Sequence, residues 1–240
     1  DIPKYTTIIK NLTDLVKRKP EFDDIQQQQI DIYKKVKELG HQIADSKHQI
    51  IQLTSAVDQN DLQSMKKVLE KLDFIDSNGI IIQKGRVASV ITAGDELVIT
   101  EMLFEGILSG PDVTPQKIAS LLCIFACDEG LKEEPDIPEE MEDLWNKTLE
   151  IIQRIVAIMN DCGLNITLDN YMKKIDPTYM ALTFNWVGGA EFSKLMEDNP
   201  NFFEGSVIRS MKRSEEILRQ TARAAKEMGN SELEINILQA

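Results

Sequence analysis

The chain has 240 residues, of which 40 are acidic and 27 are basic, so its formal net charge at pH 7 is −13. This charge argues against broad, nonspecific attraction to phosphate, and no apolar run approaches the ~18 residues that a membrane span needs. The 42% apolar and 28% charged residues are typical of a globular protein with a substantial core, and no secretory pattern places the chain outside the cell.

A heptad pattern dominates the first predicted element. Between Ile25 and Val57, apolar residues recur every seven positions in two series offset by four, and only Gln29 and Ser46 interrupt them. The pattern predicts a coiled-coil helix about 50 Å long at ~1.5 Å per residue. The preceding apolar run ends at Pro20, so it can cover only part of the seam. We therefore expect the coil either to dimerise or to pair with a helix from upstream sequence.

The next segment predicts a helix followed by a hairpin. Residues 62–72 have the apolar spacing of an amphipathic helix, whereas residues 79–83 and 86–91 are rich in β-branched side chains and are joined by Lys84-Gly85. Two such runs around a short, glycine-containing connection are typical of a β-hairpin. A helix followed by a two-stranded hairpin is also how a winged-helix domain ends.

From residue 94 onwards the sequence predicts only helices. Thr114 and Pro115 fit the N-cap and first position of one helix, and Gly163 fits the C-cap of another. Short connections are typical of a compact helical bundle. The exception is an acidic loop at residues 128–143, which holds nine acids and one lysine. The predicted helices cover residues 96–104, 114–129, 139–162, 177–187, 190–197 and 206–226.

The chain carries no catalytic or metal-binding motif. It lacks a glycine-rich phosphate loop, and both histidines lie in the coil, far from any nucleophile. Cys123, Cys127 and Cys162 are odd in number and lack the paired spacing of a zinc site, so we expect buried thiols in a reducing compartment. The sequence alone therefore predicts a binding or scaffolding module.

The last long helix concentrates positive charge. Residues 206–226 hold six basic side chains and two acidic ones, a net charge of +4 in a chain of −13. On a helical wheel the basic side chains lie opposite the apolar ones. Such a cationic side is either ordinary solvent surface or a track for successive phosphates. The basic residues are Arg209, Lys212, Arg213, Arg219, Arg223 and Lys226, and the apolar residues are Val207, Met211, Leu218, Ala222 and Ala225.

Several strings resemble the C-terminal (DSHCT) region of the exosome-associated DExH-box RNA helicases, a family with a nuclear mRNA-transport type and a cytoplasmic superkiller type. The most specific ones lie within residues 84–104 and 203–234, and the resemblance covers roughly residues 25–239. They include Lys84-Gly85-Arg86-Val87-Ala88, Thr100-Glu101-Met102-Leu103-Phe104, Phe203-Glu204-Gly205-Ser206 and Glu215-Glu216-Ile217-Leu218-Arg219-Gln220. The resemblance implies a mainly α fold in three parts. These are an arch stalk coiled coil (1–61), the remainder of a winged helix with its β-hairpin (62–93), and a DSHCT helical bundle (94–240).

The resemblance also implies that the whole protein is an ATP-dependent 3′-to-5′ RNA helicase that feeds RNA to the exosome. Its motor domains, with the ATP and Mg²⁺ that they bind, are expected upstream, so this chain is expected to be a non-enzymatic part without a cofactor. In the family the basic helix lines the single-stranded RNA channel. This assigns RNA contacts to Arg209, Lys212 and Arg213, with Glu129 facing them.

The expected partners are single-stranded RNA, the exosome with its helicase adaptor proteins, and the protein's own motor domains, with no membrane. The expected location is the nucleus, with the cytoplasm as the alternative. Two features depart from the family pattern. Asp128-Glu129-Gly130 replaces a more polar and basic sequence, and the family's final helix and apolar end are absent after Ala240.

Two other functions fit parts of the sequence. The chain could be a coiled-coil protein-interaction module with no nucleic-acid role, in which the cationic side is plain solvent surface. It could also be a winged-helix DNA binder, although the predicted hairpin carries only Lys84 and Arg86 as basic residues.

Overall fold

The computed structural model describes residues 8–14, 24–127 and 135–240, and it is mainly helical, as expected. The chain divides into two compact units, residues 1–59 and residues 60–240. The domain boundaries predicted at residues 61 and 93 stay predictions. In chain order the α-helices are α1 (residues 8–14), α2 (Asp24–Lys71), α3 (Gln83–Ala88), α4 (Glu96–Phe104), α5 (Pro115–Leu122), α6 (Glu142–Asp161), α7 (Leu168–Met172), α8 (Met180–Val187), α9 (Phe192–Asp198), α10 (Glu204–Glu227) and α11 (Ser231–Leu238).

The first long helix, α2, comprises 48 residues. It joins the predicted coil and the predicted helix at residues 62–72 into one element, because the sequence between them contains neither glycine nor proline. Side chains of the heptad seam that the structure describes are exposed. Their exposed fractions are 63% for Ile32, 61% for Val36, 48% for Leu39 and 56% for Ile43. The predicted partner of this seam stays a prediction.

The β-hairpin predicted at residues 79–91 is wrong. Ile75 and Ile81 form an isolated antiparallel bridge, and helix α3 occupies the place of the second predicted strand. Val87 and Ala88 are both buried, whereas a strand would direct neighbouring side chains to opposite faces. The run of β-branched residues misled the prediction, because tertiary packing overrides β-propensity where a helix buries the segment better.

Gly85 allows α3 to pack closely on the chain that precedes it. A Cβ atom at this position would lie 2.2 Å from the carbonyl oxygen of Phe74, so no other residue fits without a backbone shift. The Lys84-Gly85 pair is therefore the beginning of a packed helix and not a turn between strands. The winged-helix interpretation loses the hairpin that supported it.

The bundle is organised around α4, in which every residue from Val98 to Leu103 is buried. Helix α4 contacts α3, α6 and α10, whereas α5 contacts α8, α10 and α11. The predicted cap of α5 is confirmed, because the Thr114 hydroxyl accepts a backbone hydrogen bond at 3.3 Å and Pro115 begins the helix. Gly163 follows α6 with φ of 93°, the left-handed conformation that ends many helices.

Most of the predicted helices are confirmed, with small shifts at their ends. Besides α3, the short helices α7 and α11 were not predicted. The predicted helix at residues 114–129 ends as an α-helix at Leu122 and continues as a 3-10 turn to Phe125. Residues 128–134 lie outside the described residues. The confirmed predictions are those at residues 96–104, 139–162, 177–187, 190–197 and 206–226.

The three cysteines are free and buried, as predicted. Burial raises the pKa of the Cys123 thiol to about 12, so this thiol is protonated and unreactive at neutral pH. Among the described residues, no group of three or more His, Cys, Asp or Glu side chains is placed to hold a metal ion. None of the helices in those same ranges combines the length and apolar character that crossing a bilayer requires.

Candidate nucleic-acid interface

The candidate interface is built on α10, which spans Glu204–Glu227. Glu204 lies in its first turn and Lys226 in its last, so each charge opposes the partial charge of the nearby helix end. The 24 residues give a rod about 36 Å long at ~1.5 Å per residue. This helix is long enough to contact more than one phosphate of a nucleic acid.

The buried side of α10 is wider than predicted. Val207, Ala222 and Ala225 are buried as expected, whereas Met211 and Leu218 are only half-buried. The centre of the buried side consists of small polar residues, which the prediction missed because hydroxyl groups do not stand out in an apolar pattern. Ser206, Ser210 and Ser214 recur every four residues, and this spacing could have indicated that they share one side of the helix. The missed buried residues are Ser206, Ser210, Ser214, Ile217, Gln220, Thr221 and Ala224.

The opposite side of α10 carries the predicted cationic surface. All six basic side chains are exposed, but acidic neighbours offset the charge in the C-terminal half. Arg219 contacts Glu215 at 2.5 Å and Glu216 at 2.9 Å, and Lys226 lies 3.4 Å from Glu234. Two of the basic residues in the C-terminal half are thus paired with acids, and Arg209, Lys212 and Arg213 lie in the N-terminal half.

The three predicted RNA contacts on α10 lie in this N-terminal half. The Arg209 guanidinium donates a hydrogen bond to the Ser206 hydroxyl at 2.9 Å. Lys212 borders an apolar groove, whereas Arg213 borders a polar cleft on another side of the helix. Arg209, Lys212 and Arg213 thus lie on one exposed surface of the helix. Lys212 and Arg213 each border a different concavity. Glu129, which was predicted to face them, lies outside the described residues.

The apolar groove beside Lys212 has a volume of about 560 Å³. Trp186 from α8 and Ile208 from α10 line it, and each is 43% exposed. Phe192 from α9 contributes a second aromatic side chain. The groove follows the apolar edge of α10 and carries less charge than the cleft beside Arg213.

The polar cleft beside Arg213 has a volume of about 400 Å³. The segment Thr92–Glu96 forms one wall, and Lys173 and Lys174, which follow α7, also line the cleft. Phe125 and Cys127 complete its lining. Sequence reasoning missed Lys173 and Lys174, because α7 is short and distant from α10 along the chain.

Gln220 fixes the wall of this cleft to α10. Its side-chain oxygen accepts hydrogen bonds from the backbone amides of Thr92 at 2.6 Å and Ala93 at 2.9 Å. Its side-chain nitrogen donates to the Thr92 hydroxyl at 3.1 Å and to Glu216 at 2.9 Å. Since Gln220 is only 8% exposed, the bonds are shielded from water and hold the loop before α4 in place.

Asp95, which belongs to the same wall, is held in place by Tyr171. The Asp95 carboxylate accepts hydrogen bonds from the Val98 amide at 3.0 Å and from the Tyr171 hydroxyl at 2.9 Å. Burial, together with the neighbouring Asp95 carboxylate, raises the pKa of Tyr171 far above its usual range. Tyr171 therefore stays a protonated donor at any physiological pH.

A buried ion pair explains two of the strings that carry the family resemblance. The Lys84 ammonium lies 2.5 Å from the Glu101 carboxylate and above the rings of Phe74 and Phe104, at 5.1 and 5.8 Å from their centroids. Arg154 from α6 contacts the same carboxylate at 3.3 Å. This cluster joins α3, α4 and α6, so both strings have a structural role.

Comparison with known proteins identifies the family. The sequence profile of the DSHCT (NUC185) domain matches residues 78–240. The chain is 34% identical over 192 residues to the human protein "Exosome RNA helicase MTR4", a match that covers 80% of this chain and 18% of that relative. It is 33% identical over 199 residues to "mRNA transport homolog 4" of Caenorhabditis elegans, covering 83% and 19%. It is 28% identical over 213 residues to "Antiviral helicase SKI2" of Saccharomyces cerevisiae, covering 87% and 16%.

The chain thus spans about a fifth of the length of the curated relatives it matches. The profile covers more than half of the chain, including all of the residues from α3 to α11. This chain belongs to the DSHCT domain family, as the strings in its sequence indicated.

Proposed function

We propose that this chain is the non-motor C-terminal portion of an ATP-dependent 3′-to-5′ RNA helicase that delivers RNA to the exosome. In this function α10 lies along a single-stranded RNA path and lines the channel. The observation that carries the proposal is the one-sided cationic surface of α10, which is exposed in a chain of net charge −13 that belongs to the DSHCT family. The names of the relatives, an exosome RNA helicase among them, support it.

The other properties of the whole protein follow from this proposal. Motor domains elsewhere in the protein bind ATP and Mg²⁺ and supply the opposite wall of the RNA channel. The exosome, which the name of one relative mentions, and helicase adaptor proteins are the protein partners, and the nucleus is the location. This chain by itself turns over no ATP.

The expected affinity for RNA is limited by the number of phosphates that the chain can neutralise. Contacts from Arg209, Lys212 and Arg213 amount to three charges, so the logarithm of the binding constant should fall with the logarithm of salt concentration with a slope of about −2. The many carboxylates elsewhere on the chain repel the strand. We therefore expect binding that is measurable at 50 mM salt and lost near 200 mM.

Fluorescence anisotropy of a labelled single-stranded RNA tests the proposal. The variant Arg209→Glu/Arg213→Glu should abolish binding. The charge-matched control, Lys66→Glu/Lys67→Glu, alters two exposed lysines of α2 and should leave the salt slope unchanged. If the α10 variant binds RNA with unchanged affinity and salt slope, α10 does not lie along the strand.

A second function is supported by the exposed heptad seam of α2. The described seam residues from Ile32 to Ile43 are about half exposed or more, as in a helix that pairs with another helix. We propose as the alternative that this chain is a coiled-coil interaction module. Sedimentation equilibrium tests it, because a concentration-dependent dimer that Ile32→Asp/Leu39→Asp converts to a monomer would support pairing, and a monomer at all concentrations would exclude self-pairing.

A further inference from the structure

We propose that the apolar groove between α8 and α10 is the docking site for an amphipathic helix of a partner protein, with an acidic residue of that helix facing Lys212. The inference goes beyond the proposed function, because it concerns a protein ligand and does not depend on RNA. It gives Lys212, which the proposed function counts among the RNA contacts, a second role at the rim of the groove. The observation that carries it is a stripe along α10 with the spacing of a coiled-coil seam, which lines a groove of about 560 Å³ together with α8.

The stripe on α10 has the spacing that receives another helix. Its members are separated by three, four and three positions, as the core positions of a coiled coil are. The stripe is about 15 Å long at ~1.5 Å per residue, so a helix of about three turns covers it. The four residues of the stripe that line the groove are Ile208, Met211, Glu215 and Leu218.

The apolar side chains of the groove are incompletely covered. Trp186 and Ile208 are each 43% exposed, and Phe192 and Met211 are half-buried. Apolar side chains that are exposed together in one groove are typical of a protein-interaction surface. Tryptophan is among the residue types that contribute most to binding at such surfaces. We therefore expect Trp186 to be the main contact of the docked helix.

The wall opposite α10 is fixed to the rest of the bundle. The Ser120 hydroxyl donates a hydrogen bond to the Met180 carbonyl at 2.8 Å, and the Gln116 side chain donates one to the Phe184 carbonyl at 2.6 Å. These two bonds hold the first two turns of α8 against α5. A groove with a fixed wall needs little reorganisation when a ligand binds, which favours affinity.

The charges at the groove define the chemistry of the partner. Among the described residues that line it, Lys212 and Glu215 are charged. Glu215 contacts Arg219 at 2.5 Å, which offsets its charge, whereas the exposed Lys212 attracts an acidic side chain and repels a basic one. A nucleic-acid strand keeps its phosphates beside cations. Because this groove is mainly apolar, an amphipathic helix fits it better.

The test is a selection of peptides on this chain from a phage library of helical sequences of about four turns. The enriched peptides should share apolar residues three and four positions apart and an acidic residue beside them. A synthetic peptide from the selection should change the fluorescence of the exposed Trp186, since Trp145 is buried. Trp186→Asp should weaken its binding at least about 30-fold. The control Phe203→Ser, which removes an aromatic side chain that is 70% exposed outside the groove, should change the affinity less than about 2-fold.

A change of the charge at the rim gives a readout that a loss of folding cannot produce. The selected peptide should bind Lys212→Glu at least about 5-fold more weakly than it binds the parent chain. A version of the peptide with lysine in place of its acidic residue should show the reverse preference. Equal affinities of both peptides for both chains would overturn the assignment of Lys212.

Three other outcomes would overturn the inference. A selection that enriches no peptide on the parent chain over Trp186→Asp would show that the groove binds no helix. A dimer that Trp186→Asp converts to a monomer in sedimentation would show that a second copy of this chain occupies the groove. A change in Trp186 fluorescence on addition of single-stranded RNA, with weaker RNA binding by Trp186→Asp, would assign the groove to RNA. None of these outcomes decides the proposed function, which the Arg209→Glu/Arg213→Glu variant tests separately.

Discussion

Replacement of Lys84 by methionine should destabilise the compact unit of residues 60–240. The Glu101 side chain is 6% exposed and that of Lys84 is 16% exposed, and their charged atoms lie 2.5 Å apart. Removing one partner of a buried ion pair costs about 3–5 kcal/mol, because the remaining charge is left without compensation. Arg154 keeps part of that compensation at 3.3 Å, but its side chain is 45% exposed.

We therefore expect the lower end of the range, about 3 kcal/mol for Lys84→Met. For a unit of this size the midpoint of thermal unfolding falls by about 2–4 °C per kcal/mol, which gives a decrease of about 6–12 °C. Urea unfolding followed by tryptophan fluorescence measures the free energy, since Trp145 is 8% exposed and reports on the bundle.

The control for this variant is Lys147→Met. Lys147 and Asp143 form an ion pair of similar length, 2.7 Å, but their side chains are 52% and 77% exposed, so the change should be at most about 0.5 kcal/mol. The double variant Lys84→Met/Glu101→Met completes a thermodynamic cycle and should recover at least 2 kcal/mol, roughly the coupling expected of a buried pair. Purely additive single effects, or equal effects of Lys84→Met and Lys147→Met, would refute the reasoning.

Three further changes have defined outcomes. Gln220→Leu should remove the protection of the Thr92 and Ala93 amides in hydrogen exchange, because their shared acceptor is lost; unchanged protection would show that another group accepts these bonds. The Ile80 amide and other hydrogen bonds hold the pKa of Asp76 below its usual 3.8, so the stability that it contributes is complete above pH 3.8 and is lost as the pH falls through the lower folded pKa. The stability difference between the parent and Asp76→Asn in urea should shrink over that range, and a constant difference down to pH 2 would contradict this sign. Cys123, with a pKa of about 12, should resist iodoacetamide at pH 8 until the protein unfolds, whereas rapid labelling of the folded chain would show that it is accessible.

The parts of the fold that could be predicted are those whose cause is local in sequence. Thr114 followed by Pro115 defines a helix start through one side-chain acceptor and one fixed backbone angle. Gly163 ends α6 because it adopts a left-handed conformation at little cost. These features depend on a few adjacent residues, and the prediction needed no knowledge of the rest of the chain.

The failed or missing predictions depend on contacts between distant residues. Residues 79–91 contain β-branched residues that favour strands, but the close approach of Gly85 to Phe74 makes a helix the better-packed choice. Gln220 looks like a surface residue in the sequence and acquires its role only because Thr92 lies beside it, 128 positions earlier. The position of Lys173 and Lys174 beside the same cleft as Arg213 likewise depends on packing between segments that are distant in the sequence.

The charge of α10 has a clear consequence for how an RNA strand would be held. The acids at Glu215 and Glu216 offset Arg219, so this arginine adds little to the attraction of the helix for phosphate. The rest of the chain is strongly acidic and repels a strand that leaves this surface. In the function proposed above, a few contacts of this kind bind weakly at physiological salt, so the surface would guide a strand that motor domains deliver and would release it readily. The proposed cationic path on an acidic body would therefore suit movement of RNA better than its storage.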